Sequence, residues 1–178
     1  MKNIATSLSV VTLLLIGFFA YSSTDKQGEP ATAATLQPMS MVEEKATLPS
    51  FSIVDANGKT VNLNSFKGKK VFVNLWATWC PPCRKEIPSI QKLYSKVDKE
   101  NTVFILLSLD DNFDIAKKYA VSKKMNLPVY YPAENLPSLF NINSIPTTFI
   151  FNEKGELAKV INGADDYGRK EYIDLLKP

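Results

Sequence analysis

The chain has 178 residues, of which 45% are hydrophobic and 22% are charged, so it can bury one substantial core. The net charge is only +3 and the lysines are scattered, which gives no indication of a nucleic-acid partner. The chain has two cysteines and no histidine. Ser-His-Asp and Cys-His catalytic sites are therefore excluded, and zinc or iron–sulfur sites lack their usual ligands, so no metal is expected.

The first residues have the pattern of an export signal. Lys2 precedes an apolar run, residues 4–21, that contains no charged side chain. This pattern is typical of a signal peptide or a membrane anchor, which we assign to residues 1–22. Cleavage and retention both stay open, because Ala20-Tyr21-Ser22 resembles a cleavage site while the run is about long enough to span a bilayer. The positive end stays inside, so we expect an extracytoplasmic protein, in a periplasm or at the outer face of the cytoplasmic membrane.

Residues 23–47 are predicted to be a flexible linker. They are rich in Ala, Thr, Ser, Pro, Glu and Gln and show no apolar periodicity. The linker serves either as a tether, which lets a domain meet partners at the membrane surface, or as a plain spacer. Residues 48–178 are predicted to form the single folded domain.

A hairpin and a buried strand open this domain. Strands at 51–54 and 60–63 flank Asn57-Gly58, a turn signal because both residues tolerate positive φ. A single helical turn capped by Asn64 follows and ends at Gly68. Residues 71–76 are apolar except for Asn74, which predicts a central strand buried on both faces.

Helices and strands then alternate. Apolar residues recur three and four positions apart over 81–97, which predicts a helix with Pro88 inside it. After a strand at 103–107, Asp110 or Asp111 is expected to cap a helix over 113–125. Ile115, Tyr119 and Ala120 are expected to face the core from that helix. The remaining predicted elements are a strand at 129–131, a turn at 136–140, strands at 147–151 and 157–161, and a helix from Asp165 to Leu176. This order favours an α/β domain with a partly parallel sheet and an antiparallel edge.

The chemistry is concentrated in Trp79-Cys80-Pro81-Pro82-Cys83, where the buried strand meets the helix. Two cysteines three positions apart at a helix start face the same side, close enough for a disulfide. The helix N-terminus favours a thiolate at Cys80. Because Pro81 and Pro82 have no N–H group, the backbone N–H of Cys83 is the first of these three that can donate to the Cys80 sulfur. We expect Cys80 to be an exposed nucleophile and Cys83 the resolving thiol. The alternative is a structural disulfide, although so short a loop constrains the unfolded chain little.

Four segments carry a family resemblance. They are Leu48-Pro49-Ser50-Phe51, Gly68-Lys69-Lys70-Val71, Asn74-Leu75-Trp76-Ala77-Thr78-Trp79-Cys80-Pro81-Pro82-Cys83 and Ser144-Ile145-Pro146-Thr147-Thr148-Phe149. On these segments, residues 48–177 resemble the TlpA/ResA-like thiol-disulfide oxidoreductases of the thioredoxin superfamily. The resemblance implies a thioredoxin fold: a central mixed β-sheet flanked by helices, with an N-terminal β-hairpin and a helix–strand insertion at 111–131. It also implies that the Cys80–Cys83 disulfide is the redox group, with no further cofactor.

The resemblance also implies roles for residues around the cysteines. Pro146 is expected to be a cis proline facing the pair, which turns the Ile145 backbone outward to contact an extended partner segment. From local sequence alone, a trans proline opening a strand is the simpler reading. Trp79, with Pro81 and Pro82, is expected to flank the client surface, whereas Trp76 is expected in the core.

Glu86 lies one helical turn beyond Cys83. A glutamate at the matching position of ResA-like proteins lies by the active site, where it can accept or supply the proton of the resolving thiol. The alternative is an acid that only complements the helix dipole. Asn74 stands where cytoplasmic thioredoxins have a buried aspartate, so Glu86 would hold the proton alone. Arg84 and Lys85 are expected to be solvated.

The resemblance implies a reductant working in an oxidising compartment. It would take electrons from a membrane thiol-electron donor and reduce a disulfide-bearing client protein, such as apocytochrome c in cytochrome c maturation. The motif itself does not fix the direction of electron flow. The alternatives are an oxidant or isomerase of the same fold, a peroxiredoxin-like peroxidase, and a thioredoxin-fold binding module that performs no catalysis.

Overall fold

The computed structural model describes residues 45–177, and the predicted segment at 1–22 lies outside these residues, as does most of the predicted linker. The strands are β1 (Ser52–Asp55), β2 (Thr60–Asn62), β3 (Lys70–Trp76), β4 (Thr102–Ser108), β5 (Val129–Pro132), β6 (Thr147–Phe151) and β7 (Leu157–Asn162). The helices are α1 (Pro81–Tyr94), α2 (Phe113–Ser122) and α3 (Lys170–Leu176). None of the helices in this described part combines the length and apolar character that a membrane crossing needs.

The seven strands form one mixed sheet in the order β2-β1-β5-β4-β3-β6-β7. Strands β3, β4 and β5 run parallel, whereas β1, β2, β6 and β7 join through antiparallel pairs. Parallel neighbours need crossover helices, and α1 and α2 supply them. The predicted α/β class with a parallel centre and antiparallel edges is confirmed. At the first residue of β7, the Leu157 N–H donates to the Ala46 carbonyl, so the last residues of the predicted linker pair with this edge.

Strand β3 is the centre of the sheet, and its side chains supply both cores. Phe72 and Trp76 pack with residues of the three helices on one face, and Val73 packs with the opposite cluster. Trp76 is fully buried, as predicted. Each large apolar side chain buried in this way stabilises the fold by about 1.5–3 kcal/mol. Because side chains alternate along a strand, Asn74 points to the same face as Phe72 and Trp76, which is the face that α1 covers.

Helix α1 ends earlier than the apolar pattern predicts. It stops at Tyr94, where the Ser95 N–H still donates to the Gln91 carbonyl at 3.0 Å, rather than continuing to Val97. Val97 is nevertheless buried in the core. The apolar periodicity therefore correctly identified Val97 as a core residue, although this residue lies beyond the last turn of the helix.

The predicted start of α2 at Phe113 is confirmed, whereas its cap, its end and its core face are corrected. Asn112 caps the helix, since its Oδ1 accepts from the Ile115 N–H at 3.3 Å, and neither Asp110 nor Asp111 does so. Asp110 is drawn into the interior by other hydrogen bonds, described below. Ile115 was expected inside, but it is 39% exposed, and Ala116 takes the core position. The helix ends at Ser122 rather than at Met125, because the chain leaves the helical conformation at Lys124, where φ is +50°.

The last helix begins at Lys170 and not at Asp165. The Asp166 N–H donates to the Asp165 carboxylate at 2.7 Å, and the Gly168 N–H donates to the Asp166 carboxylate at 2.9 Å. Side chain–backbone bonds of this kind compete with helix formation, so residues 165–169 form a turn.

Two smaller turns differ in detail from the expectations. The turn after β2 is a 3-10 helix over Leu63–Phe66, and Asn62 caps it rather than Asn64. In the β1–β2 turn, Gly58 has a φ of +84°, the left-handed conformation that glycine adopts without strain.

Candidate redox site

The cysteine pair lies at the junction of β3 and α1. Cys80 is the N-cap of α1, and the Cys83 N–H donates to its Sγ at 3.2 Å. The two cysteines form a disulfide, with their Cα atoms 5.3 Å apart. Pro81 and Pro82 fill the first helical positions, where a missing N–H removes no intrahelical bond. The predicted placement of the pair at a helix N-terminus is confirmed.

Cys80 is less exposed than expected. Its residue surface is 3% exposed and that of Cys83 is 0%, so both count as buried in this disulfide form. The two cysteines still differ, because Cys80 lines an open groove of about 490 Å³ and Cys83 does not. The residues that line this groove, called the client groove below, are Trp79, Cys80, Pro81, Pro82, Leu109, Ile142, Asn143, Ser144 and Ile145.

Of the predicted contact residues, four line the client groove, namely Trp79, Pro81, Pro82 and Ile145, whereas Pro146 is buried and does not line it. Trp79 is 64% exposed, and Pro81 and Pro82 are exposed beside it. On the opposite wall the Ile145–Pro146 peptide bond is cis, and the Ile145 carbonyl oxygen lies 3.7 Å from Cys80 Sγ. The groove therefore combines an apolar floor, one sulfur and an exposed backbone segment.

Asp110 is a site residue that the sequence did not reveal. It is buried, and its carboxylate accepts hydrogen bonds from the Thr78 N–H at 3.1 Å, the Thr78 hydroxyl at 2.7 Å and the Ser108 hydroxyl at 2.8 Å. These bonds fix the turn immediately before Trp79 and Cys80. A usable signal was present, because parallel β3 and β4 end at the same edge of the sheet, which places residues just beyond β4 near the cysteines.

Glu86 is buried on α1 one helical turn beyond Cys83, with 3% of its surface exposed. Its Oε1 accepts from Asn74 Nδ2 at 2.8 Å, and its Oε2 accepts from the Asp165 N–H at 3.3 Å. Burial raises the pKa of this carboxyl group from 4.5 to about 7, although the two hydrogen bonds oppose that rise. Glu86 can therefore gain or lose a proton near neutral pH, which a residue that only complements the helix dipole has no need to do.

A buried polar chain extends from Glu86 across the sheet. Asn74 Nδ2 also donates to Thr148 Oγ1 at 2.9 Å, and the Tyr167 hydroxyl donates to the same oxygen at 2.6 Å. Burial raises the pKa of Tyr167, so it stays a neutral donor. Neither Thr148 nor Tyr167 was predicted from the sequence to be a site residue. The sequence signal for Thr148 was a polar residue inside an apolar strand, two positions after Pro146, and the structure shows that it pairs with Asn74.

The flanking charges lie in solvent. Arg84 and Lys85 are exposed on α1, as expected.

Within residues 45–177, no group of three or more His, Cys, Asp or Glu side chains is placed to hold a metal ion.

Comparisons with known proteins agree with this site. A family model described as Redoxin matches residues 42–176. The thiol-disulfide oxidoreductase ResA of Bacillus subtilis (strain 168) is 27% identical over 177 residues, covering 98% of this chain and 93% of that protein. ResA of Bacillus anthracis is 31% identical over 132 residues, covering 73% of this chain and 76% of that protein. A crystal structure of a thioredoxin-family thiol:disulfide interchange protein from Chlorobium tepidum TLS has a TM-score of 0.64 at 30% identity, covering 74% of this chain and 96% of that chain.

The chain belongs to the Redoxin family and, within the thioredoxin superfamily, to the TlpA/ResA-like thiol-disulfide oxidoreductases. It is an oxidoreductase of thiols and disulfides, and the Cys80–Cys83 pair is its redox-capable group.

Replacing Glu86 with Gln is expected to change how stability depends on pH. The folded state binds the Glu86 proton more tightly than the unfolded chain does, so this contribution to stability is complete below pH 4.5 and is lost as the pH rises to about 7. Between pH 5 and 8 the oxidised natural protein should lose about 2 kcal/mol more than Glu86→Gln does. Denaturant unfolding of both proteins at the two pH values measures this difference, and equal losses would contradict the assignment.

Proposed function

We propose that this protein is an extracytoplasmic reductant that passes two electrons from the Cys80–Cys83 dithiol to the disulfide of a client protein. The observation that carries the proposal is the asymmetry of the pair. Cys80 lies at the helix N-terminus in the client groove, while Cys83 lies behind it, fully buried. A client can therefore reach one sulfur only, and the second sulfur is held ready to release it.

The exchange proceeds in two displacements. The Cys80 thiolate attacks one client sulfur, which forms a mixed disulfide, and the other client sulfur leaves as a thiolate. The Cys83 thiol then loses its proton and attacks Cys80 Sγ. This attack forms the Cys80–Cys83 disulfide and expels the second client thiolate. The client gains two electrons, and its two thiolates take protons from solvent.

The helix N-terminus stabilises the charge on Cys80 during this cycle. The backbone N–H of Cys83 points at the Cys80 sulfur, and the positive end of the α1 dipole lies beneath it. Both interactions stabilise the Cys80 thiolate, whether it is attacking a disulfide or leaving one. Glu86 serves as the base for Cys83, because it lies one turn further along α1 and its pKa of about 7 lets it hold the transferred proton.

The client groove suits an extended peptide next to a disulfide. The exposed Trp79 ring offers apolar contact area, and the Ile145 backbone beside Cys80 offers hydrogen-bonding groups to an extended strand. Pro146 places no N–H near the sulfurs. Recognition through backbone and one aromatic ring tolerates varied client sequences.

The cellular setting rests on the N-terminal pattern and on the resemblance. The apolar run at 4–21 supports export or anchoring at the membrane. A reductant in an oxidising compartment needs continual re-reduction, for which a membrane thiol-electron donor is the proposed source. The proposed client is a protein disulfide such as that of apocytochrome c before haem attachment.

Two serine variants test the division of labour between the cysteines. Cys83→Ser should react with a client disulfide and stop as a stable mixed disulfide through Cys80, because the second displacement is missing. Cys80→Ser should form no such adduct and lose at least about 1,000-fold in reductase activity. Non-reducing electrophoresis and intact mass measure the adducts. An adduct of equal yield on Cys80→Ser would refute the assignment.

The direction of electron flow is tested by the reduction potential. Equilibration of the full chain with thiol/disulfide buffers, followed by Trp fluorescence, should give a two-electron potential at or below about −270 mV, the level of thioredoxin. A value near about −120 mV, the level of a strong periplasmic oxidant, would reverse the proposed direction.

A further inference from the structure

Both oxygens of the Glu86 carboxylate face hydrogen-bond donors. Oε1 faces the Asn74 side-chain NH₂ at 2.8 Å, and Oε2 faces the backbone N–H of Asp165 at 3.3 Å. This set of partners matches the ionised form, which only accepts hydrogen bonds. The protonated form carries an O–H that needs an acceptor, and neither of these two partners presents an acceptor in its present orientation.

Only one of these two partners can become an acceptor without moving the backbone. The Asp165 N–H is fixed by the chain, whereas the Asn74 amide carries an oxygen on its other side. That oxygen, Oδ1, is buried and has no hydrogen-bond partner within residues 45–177. A half-turn of the amide would bring Oδ1 to the Glu86 O–H and would move the NH₂ group to the buried place where Oδ1 now has no partner, so that one amide group is unpaired in either orientation.

The second neighbour of Asn74 can follow the same change. Asn74 Nδ2 donates to Thr148 Oγ1, a hydroxyl that also accepts from Tyr167. A hydroxyl has one donor and two acceptor sites, so Thr148 can donate to Asn74 Oδ1 while still accepting from Tyr167. Asn74 therefore makes two hydrogen bonds to these neighbours in either orientation.

We propose that Asn74 is a positioning residue whose side-chain amide rotates by about half a turn when Glu86 takes up a proton. In the ionised state the NH₂ group holds the carboxylate. In the protonated state Oδ1 holds the carboxylic acid in the same place. Glu86 thus keeps its position behind Cys83 in both halves of the exchange, and the catalytic meaning of this device rests on the proposed function of Glu86.

Several ionisable groups lie around Glu86. Those close to it in the structure or one turn away on its helix are Cys83, Lys85, Asp165, Asp166 and Tyr167. In the oxidised protein Cys83 does not titrate, and the chain has no histidine. Burial opposes the shift, but hydrogen bonds from the Tyr172 hydroxyl and the Asp166 N–H, together with the charge of Arg169, hold the pKa of Asp165 below its ordinary value. A change in the orientation of the Asn74 amide near neutral pH is therefore attributed to the titration of Glu86.

Nuclear magnetic resonance of the amide tests the rotation directly. The oxidised full chain, in detergent micelles and with ¹⁵N-labelled asparagine, is titrated from pH 5 to 9, and Asn74→Asp identifies the Asn74 signals by their loss. The Asn74 NH₂ shifts should change with the same midpoint as the Glu86 carboxyl carbon. The NH₂ contacts to Glu86 and Thr148 should be present above that midpoint and absent below it. Unchanged contacts across the titration of Glu86 would overturn the proposal.

The variant Glu86→Gln provides a matched control. Its side-chain oxygen can accept from the Asp165 N–H, so its NH₂ faces Asn74 and demands an acceptor at every pH. Asn74 in this variant should show the low-pH contact pattern throughout, and the high-pH pattern at any pH would contradict the rotation. Neither measurement involves a client or a direction of electron flow, so the inference fails or stands separately from the proposed reductant role.

Discussion

The turn between β3 and α1 is the constraint on which the redox site depends. Strand β3 is buried on both faces, and its close packing fixes the position at which the strand ends and the turn begins. The Asp110 carboxylate then fixes Thr78, so Cys80 arrives as the N-cap of α1. A thiolate at this position meets the Cys83 N–H and the helix dipole, and both are supplied by backbone that folding has already ordered. The stability of the core and the reactivity of one sulfur thus come from the same junction.

A polar chain crosses the otherwise apolar face beneath α1. An unpaired buried carboxyl would be costly, but Glu86 is held by Asn74 and by the Asp165 backbone, and Asn74 is held in turn by Thr148. These partners come from α1, β3, β6 and the turn before α3. The site is therefore complete only when all four elements are in register. Because Glu86 has hydrogen-bond partners from these elements, a carboxyl group that binds a proton near neutral pH can be buried in a well-packed core.

Much of this arrangement is visible in the sequence because its causes are local. An apolar run followed by Cys80-Pro81-Pro82-Cys83 defines a buried strand, a turn and a helix start, and the family segments add the cis bond before Pro146. Partners far apart in the chain were not predictable in this way. In the sequence Asp110 resembles a helix cap, and its hydrogen bonds with Thr78 and Ser108 are visible only in the structure. The role of Thr148 likewise becomes visible only when the strand register is known, because that register pairs it with Asn74. The ends of helices were mispredicted for a different reason, because local side chain–backbone hydrogen bonds decided them, such as the bond from the Asp166 N–H to the Asp165 carboxylate.

The most direct test of this account is the relative reactivity of the two thiols in the reduced protein. Brief alkylation of the full chain with iodoacetamide at pH 7, followed by peptide mass mapping, gives separate rates for Cys80 and Cys83. The account predicts that Cys80 reacts at least about tenfold faster, because it combines the helix N-terminus with access to the client groove. Equal rates, or faster modification of Cys83, would contradict the assignment of Cys80 as the attacking sulfur.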